Sequence, residues 1–223
     1  MNSWCKNLEL LLKSRTSLIW IKTKEEERLE KILYFSCEKL NIKRYASWDC
    51  VSGIKGLVNE DGKFSNNPLG VLNWLKEQSS EVSTILLLKD FHKFYDDPTI
   101  NRTLKKLSSS LKETNHNLII NSHLFPSSEE LDELMTIVNL PLPDQKELKN
   151  LIKKIAINAN SNLDEQDLNE LSIASSGLTE IKVKQVTAKA LAQRGKISKE
   201  DIKDILDEKK QVISRSEILE FFE

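Results

Sequence analysis

The sequence has few of the residues that interrupt or cross-link a chain. Its 223 residues include 6 glycines, 5 prolines and 3 cysteines. So little glycine and proline argues against a long flexible linker. Three widely spaced cysteines form neither a metal-ligand pair nor an even disulfide set, which favours a reducing compartment. The near balance of 33 basic and 34 acidic residues gives no reason to expect nucleic acid or an anionic membrane as a partner.

Long apolar runs and targeting signals are also missing. No stretch is apolar and long enough to cross a bilayer. The first residues lack the basic stretch, the apolar block and the cleavage site of a signal peptide. We therefore expect no membrane partner. The length is sufficient for one large domain or two small ones.

Apolar segments and amphipathic helices alternate through the first two thirds of the chain. Strands are predicted at 17–21, 42–48, 82–88, 118–120 and 135–140. This α/β alternation predicts a five-stranded, mainly parallel sheet with helices on both faces, in residues 1–143. Thr23 and Glu26 are predicted to form a capping box for the helix after the first strand. A short helix is predicted near 128–134.

The last third of the chain has a different character, with no further predicted strands. Four helices are predicted there, and Asp144 with Glu147 is expected to cap the first of them. Thr179 and Ser198 are expected to open the third and fourth. Residues 144–223 are therefore predicted to form a small all-helical lid.

The connection after the first predicted strand bears most directly on function. In nucleotide-binding α/β folds, a glycine-rich loop at this place cradles phosphates with backbone N–H groups and the positive end of a helix dipole. Here the segment 22–28 contains no glycine. Glu25, Glu26 and Glu27 supply anions of their own to the first helical turn. We therefore predict that no phosphate site works here and that no cofactor binds.

An α/β unit followed by a helical lid resembles an AAA+ module with a P-loop-type topology. Working members carry a Gly-Lys-Ser or Gly-Lys-Thr loop, an Asp-Glu pair after a central strand and a polar sensor residue. Here only vestigial positions match these parts: Lys24 for the loop lysine, Asp90 for the aspartate and Asn121 for the sensor. Phe91 stands where the catalytic glutamate would be. No Lys or Arg occurs in 113–145, from which an arginine finger would project.

Each vestigial position also has an ordinary structural interpretation. Lys24 is typical of a solvated surface lysine, Asp90 of a cap for the next turn and Asn121 of a strand terminator. No catalytic residue is therefore assigned.

Histidines offer no clearer chemistry. His92, His116 and His123 are too few and too scattered along the sequence to predict a metal site. His92 is interpreted as a polar surface residue. The paired lysines of the chain are ordinary solvated faces, so no nucleic-acid site is predicted.

Several motifs together indicate a family. They include residues 23–28 (TKEEER), 88–92 (LKDFH), 142–144 (LPD) and 208–213 (EKKQVI). The chain resembles the N-terminal half of AAA-type ATPases that are encoded in cyanobacteria and, as a hypothetical chloroplast reading frame, in some algal plastid genomes. The resemblance implies a degenerate AAA+ module followed by a second module with intact ATPase motifs. It also implies a location in the cytoplasm or the plastid stroma. The sequence ends about where that second module would begin, as either a fragment or a natural stand-alone version would.

Two functions follow from these expectations. The preferred one is a non-catalytic AAA+-like module, not an enzyme on its own, that serves assembly, regulation or client binding; the family suggests a link to photosynthesis or carbon use. Its partner would be a C-terminal ATPase module, in cis or in trans, or copies of itself. The apolar terminal residues are expected either to bind that partner or to fold back onto the lid; they are Ile218, Leu219, Phe221 and Phe222.

The alternative is a nucleotide-binding protein with weak or atypical ATPase activity that uses Asp90 and Asn121. The helical last third argues against a third interpretation, a plain α/β adaptor.

Overall fold

A computed structural model describes residues 3–57, 60–124 and 133–220, with side chains described as far as 214 in the last range. The chain divides into two compact units, residues 1–141 and residues 142–223. The first is an α/β unit and the second is helical. Within the described residues, no helix is both long enough and apolar enough to span a membrane.

The α/β unit is built on one sheet of six strands. They are β1 (Leu18–Lys22), β2 (Arg44–Asp49), β3 (Gly53–Lys55), β4 (Thr84–Lys89), β5 (His116–Ser122) and β6 (Thr136–Asn139). Their order across the sheet is β3-β2-β4-β5-β1-β6. All neighbours are parallel except β2 and β3. The carboxyl ends of β1, β4 and β5 therefore meet at one edge of the sheet.

Helices cover both faces of this sheet, as predicted. They are α1 (Ser3–Lys13), α2 (Glu26–Leu40), α3 (Pro68–Glu77) and α4 (Pro98–Ser110). Alternate residues of each strand enter different cores: Trp20, Leu86 and Ile120 pack with α3 and α4, and residues such as Ile19 and Ile85 pack with α1 and α2. Burial on both faces explains why the central strands are continuously apolar.

The predicted count of five strands was wrong by one, because β3 was interpreted as a loop. The turn before it is closed by Asp49, whose Oδ1 accepts hydrogen bonds from the backbone N–H groups of Val51 (2.9 Å) and Ser52 (2.6 Å). Gly53 then takes a φ of +71°, and a Cβ atom there would lie 2.4 Å from the carbonyl oxygen of Lys63. A three-residue strand that starts with such a glycine has no detectable alternation in sequence.

Two other local predictions have different outcomes. Thr23 and Glu26 do not form a capping box: the N-cap of α2 is Glu25, and it makes no side-chain cap hydrogen bond. The reason is that the Thr23 hydroxyl accepts a hydrogen bond from the Glu25 N–H (3.0 Å) inside the connecting loop. The short helix predicted near 128–134 falls mostly outside the described residues.

The helical unit has the predicted pattern of caps. Its helices are α5 (Gln145–Asn158), α6 (Glu165–Ser175), α7 (Glu180–Arg194) and α8 (Ile202–Glu220). Asp144 and Glu147 form the predicted capping box, and Thr179 caps α7. Ser198 precedes a 3₁₀ turn, Lys199–Asp201, that leads into α8. A core of apolar side chains such as Leu148 and Val183 joins these helices.

Candidate functional site

The candidate site lies at the carboxyl edge of the sheet, where β1 passes into α2. Strand β1 ends at Lys22 and α2 begins at Glu26, so only Thr23, Lys24 and Glu25 connect them. Thr23 continues the sheet, since its N–H donates to the Ser122 carbonyl oxygen at 2.9 Å. The connection is therefore too short to wrap around a phosphate group as a glycine-rich loop does.

A buried ion pair fills the start of α2. The Nη1 atom of Arg28 lies 2.9 Å from Oε2 of Glu25, and the two side chains are 5% and 3% exposed. The same nitrogen donates to the carbonyl oxygen of Pro141 at 2.6 Å, which joins α2 to the chain after β6. Because removing one member of a buried pair leaves an uncompensated charge, both residues are needed for this part of the fold.

A second cluster of charges lies beside this pair. Lys89, at the end of β4, places its Nζ atom 3.0 Å from Glu26 Oε1 and 2.9 Å from Glu30 Oε1. Burial lowers the pKa of Lys89, but the hydrogen bonds that it donates to Glu30 and Glu26 outweigh this effect, so that the pKa is raised overall. The carboxylates of Glu25 and Glu26 are thus paired with cations. The sequence predicted that acidic repulsion and side-chain bulk would both exclude a phosphate; here Glu25 and Glu26 are paired with cations, and the connection is short and filled.

The three vestigial positions lie close together at this edge. Asn121 is 4% exposed, and its Nδ2 group donates to the carbonyl oxygens of Ile21 (3.4 Å) and Thr23 (3.3 Å). The backbone N–H of Asp90 donates to the Asn121 carbonyl oxygen at 3.0 Å. Lys24 is exposed in the β1–α2 connection. The positions expected from sequence are therefore neighbours, but the amide of Asn121 already bonds to the backbone.

The side chain of Asp90 does not cap the turn that follows it. This residue has a left-handed φ of +50° and stands at the N-cap of a 3₁₀ turn, Phe91–Phe94, without a side-chain cap hydrogen bond. Its side chain is 66% exposed. Phe91, in contrast, is fully buried and lies against Trp48, with ring centroids 5.6 Å apart. The position of a catalytic glutamate is thus part of the apolar core.

Two histidines that sequence reasoning treated as scattered meet beside Asp90. The ring centroids of His92 and His123 are 5.7 Å apart. One ligand atom each from Asp90, His92 and His123 lie within 4.8 Å of one another. His92 is not surface: its side chain is only 8% exposed. The signal available in the sequence was position, because both histidines come just after the ends of strands that turn out to be neighbours. His116 lies at the other end of β5.

The side chains of the predicted partner-binding residues lie outside the described part of the chain. Ile218 and Leu219 belong to the backbone of α8, and their side chains lie outside the described residues. Phe221 and Phe222 lie outside them entirely.

Comparisons with known proteins agree on one family. Residues 4–140 match the family model for the SpoVK-like AAA ATPase N-terminal domain, and residues 146–216 match that for its second domain. The chain is 33% identical over 220 residues to an uncharacterized AAA domain-containing protein ycf46 of Guillardia theta, covering 99% of this chain and 44% of that protein. It is 32% identical to the ycf46 protein of Pyropia yezoensis, with 99% and 45% covered. The chain thus spans less than half of the length of these relatives.

Solved structures give the same fold at low identity. PCH-2 of C. elegans superposes with a TM-score of 0.61 at 11% identity, covering 95% of this chain and 67% of that chain. The FIGL-1 AAA domain, solved in complex with ADP, has a TM-score of 0.58 at 9% identity, with 95% and 82% covered. Identities this low establish the architecture alone.

Proposed function

The chain belongs to the SpoVK-like AAA ATPase family, and from that premise we propose that it is a non-catalytic AAA-type module that serves assembly, regulation or client binding. The observation that carries the proposal is the three-residue β1–α2 connection, closed by the buried Glu25–Arg28 pair. A phosphate-binding loop needs several consecutive backbone N–H groups that face one anion. Three residues that include one buried, paired carboxylate do not supply that arrangement.

The rest of the edge supports the same proposal. Phe91 occupies the place of the glutamate that would polarise water, and it is buried among aromatic rings. The side-chain amide of Asn121 donates to two backbone carbonyl oxygens. The positions of the catalytic glutamate and of the sensor thus have a structural use here.

The lengths of the relatives support a partner for this module. The ycf46 proteins that it matches are more than twice as long as the aligned part. We propose that this part works with a C-terminal ATPase module, in cis or in trans, or with copies of itself, and that the functional boundary between core and lid lies at 143/144. Ile218, Leu219, Phe221 and Phe222 are proposed to bind that partner. A role in photosynthesis or carbon use, in the plastid stroma or the cytoplasm, extends the proposal through the family.

One observation favours the alternative of weak nucleotide binding. Asp90 follows a central strand, its carboxylate is exposed, and it lies next to Asn121. In a working module an aspartate at this place holds magnesium. The alternative needs a phosphate to bind without a glycine-rich loop.

Titration calorimetry with ATP and Mg²⁺ on this chain separates the two functions. We expect no saturable binding with a Kd below about 1 mM. The control variant is Asp90→Ala, which should give the same flat titration. Micromolar binding that is lost in Asp90→Ala would overturn the proposal in favour of the nucleotide-binding alternative. Micromolar binding that persists in this variant would overturn both versions of the site.

A further inference from the structure

The strongest unassigned feature is the cluster of Asp90, His92 and His123. These residues come from the ends of two parallel neighbours, since Lys89 of β4 is in register with Asn121 of β5. Both strands therefore end at the same level, and both continue with potential metal ligands. The left-handed backbone of Asp90 starts the turn that brings His92 back towards the end of β5.

The buried histidine in this cluster lacks hydrogen bonds. Both ring nitrogens of His92 are inaccessible to solvent, and neither has a hydrogen-bond partner among the described residues. Its Nδ1 atom lies 3.9 Å from Oδ1 of Asp90, too far for a hydrogen bond. A buried polar atom without a partner costs about 1–3 kcal/mol, so such an atom calls for an explanation. A ligand that binds to one of the ring nitrogens of His92 would remove part of this cost.

We propose that Asp90, His92 and His123 bind a divalent first-row transition metal ion, with Zn²⁺ as the representative. Two imidazole nitrogens and one carboxylate oxygen match the ligand preferences of this class. Mg²⁺ and Ca²⁺ prefer sites made of oxygen alone. Three protein donors leave a coordination position for water or for a group from another molecule.

The geometry requires only small movements. Tetrahedral zinc with bonds of 2.0–2.1 Å places its ligand atoms about 3.4 Å apart. The donors already lie within 4.8 Å of one another. Asp90 and His123 are exposed, so their side chains are free to close the remaining distance while His92 stays packed. Burial lowers the pKa of His92; Asp90 opposes this effect, and Lys93 and His123 add to it. The neutral ring is the form that binds metals.

The test is a calorimetric titration of the metal-stripped chain with Zn²⁺ in the absence of nucleotide. We expect one ion per chain with low-micromolar affinity or tighter. His123→Ala and Asp90→Asn should each weaken binding by about tenfold or more, because losing a ligand costs at least as much as losing its supporting partner. Both side chains are exposed, so these variants should fold normally. Co²⁺ should give the visible absorption bands of a low-symmetry site in the parent and lose them in His123→Ala.

Two control variants identify the site. Asp96→Asn changes an exposed carboxylate in the same loop, and His116→Asn removes the histidine at the far end of β5. Both should bind Zn²⁺ as the parent does. No one-to-one binding up to about 100 µM Zn²⁺, which corresponds to a very weak site, would overturn the proposal. Binding that His123→Ala leaves unchanged would also overturn it, because the metal would then be held elsewhere. Millimolar Mg²⁺ should not displace the ion; displacement would assign the site to oxygen-preferring metals instead.

Discussion

An asparagine and a histidine lie at each end of strand β5; the two asparagines behave alike, whereas the histidines there differ. At the amino end, Asn117 donates its Nδ2 group to the carbonyl oxygen of Thr16 at 2.9 Å. At the carboxyl end, Asn121 does the same with carbonyl oxygens at 3.3 and 3.4 Å. Both amides tie β5 to the chain of β1. The bond at the amino end lies far from any nucleotide-binding edge, so the position of Asn121 needs no ligand to account for it.

The histidines at the two ends differ more than the amides. His116, at the amino end, is 2% exposed, and its Nε2 atom lies 3.4 Å from the Gln78 carbonyl oxygen. His92 has no such contact for either nitrogen within the described part of the chain, and it lies instead beside His123 and Asp90. A buried histidine with a backbone partner is typical of structural packing. Among the described residues, His116 has one buried ring nitrogen without a partner, and His92 has two. The larger unused binding capacity is therefore at the carboxyl end.

The largest expected effect comes from breaking the buried ion pair at the carboxyl end. Arg28→Met leaves the Glu25 carboxylate buried without its cation, which should lower the free energy of unfolding by about 3–5 kcal/mol. Urea denaturation followed by tryptophan fluorescence measures this in the α/β unit alone. All four tryptophans lie in that unit: Trp4, Trp20, Trp48 and Trp74.

A matched arginine at the other end of the sheet serves as the control. Arg44 is exposed and donates to Gln78 Oε1 at 2.6 Å, so Arg44→Met should cost no more than about 1 kcal/mol. The double variant Glu25→Gln with Arg28→Met should recover part of the loss, because neither charge of this pair remains. Equal losses in the free energy of unfolding for Arg28→Met and Arg44→Met would show that the buried pair stabilises the fold no more than the exposed Arg44 does.

An intermediate effect is expected from the two amides, and it tests whether they are equivalent. Asn117→Ala and Asn121→Ala each remove hydrogen bonds to buried or partly buried carbonyl oxygens of the β1 chain, at a cost of about 1–3 kcal/mol. The same fluorescence-detected denaturation gives both values. Similar losses would sharpen the conclusion that Asn121 is structural. If Asn121→Ala kept the stability of the parent while Asn117→Ala lost it, the equivalence would be wrong.

Sequence patterns predicted the architecture well because burial dictates it. The continuous apolar run of β4 follows from cores on both faces of the sheet, where Ile85 and Leu86 enter opposite clusters. The capping box of α5 is local, so Asp144 and Glu147 identified it. Strand β3 was missed because three residues and a left-handed glycine carry no periodicity.

The candidate site was predictable in position but not in its contacts. Lys24, Asp90 and Asn121 were identified because each follows the end of a predicted strand, and the parallel topology brings such residues together. Their partners depend on pairings that are remote in sequence. Arg28 reaches Pro141, 113 residues away, and His92 meets His123 only because β4 and β5 are adjacent and in a particular register. Neither the strand order nor the register can be read from composition or spacing.

The smallest expected effect concerns pH and the histidine at the amino end. Burial lowers the pKa of His116, and Arg44 lowers it further, while the hydrogen bond with Gln78 opposes the shift. The unfolded chain therefore binds a proton more readily than the folded chain just below the usual histidine pKa of about 6.5. The stability is complete above that pH and declines as the pH falls towards the folded-state pKa, with a slope of at most about 1.4 kcal/mol per pH unit for one group.

The measurement is the free energy of unfolding between about pH 5 and pH 7, around the usual histidine pKa, for the parent and for His116→Asn. The variant should depend less on pH over this range, and the difference between the two profiles isolates His116 from the other titrating groups. Profiles that run parallel would mean that His116 is protonated equally in both states. The hydrogen bond with Gln78 would then balance the effects of burial and of Arg44, and the expected lowering of the His116 pKa would be wrong.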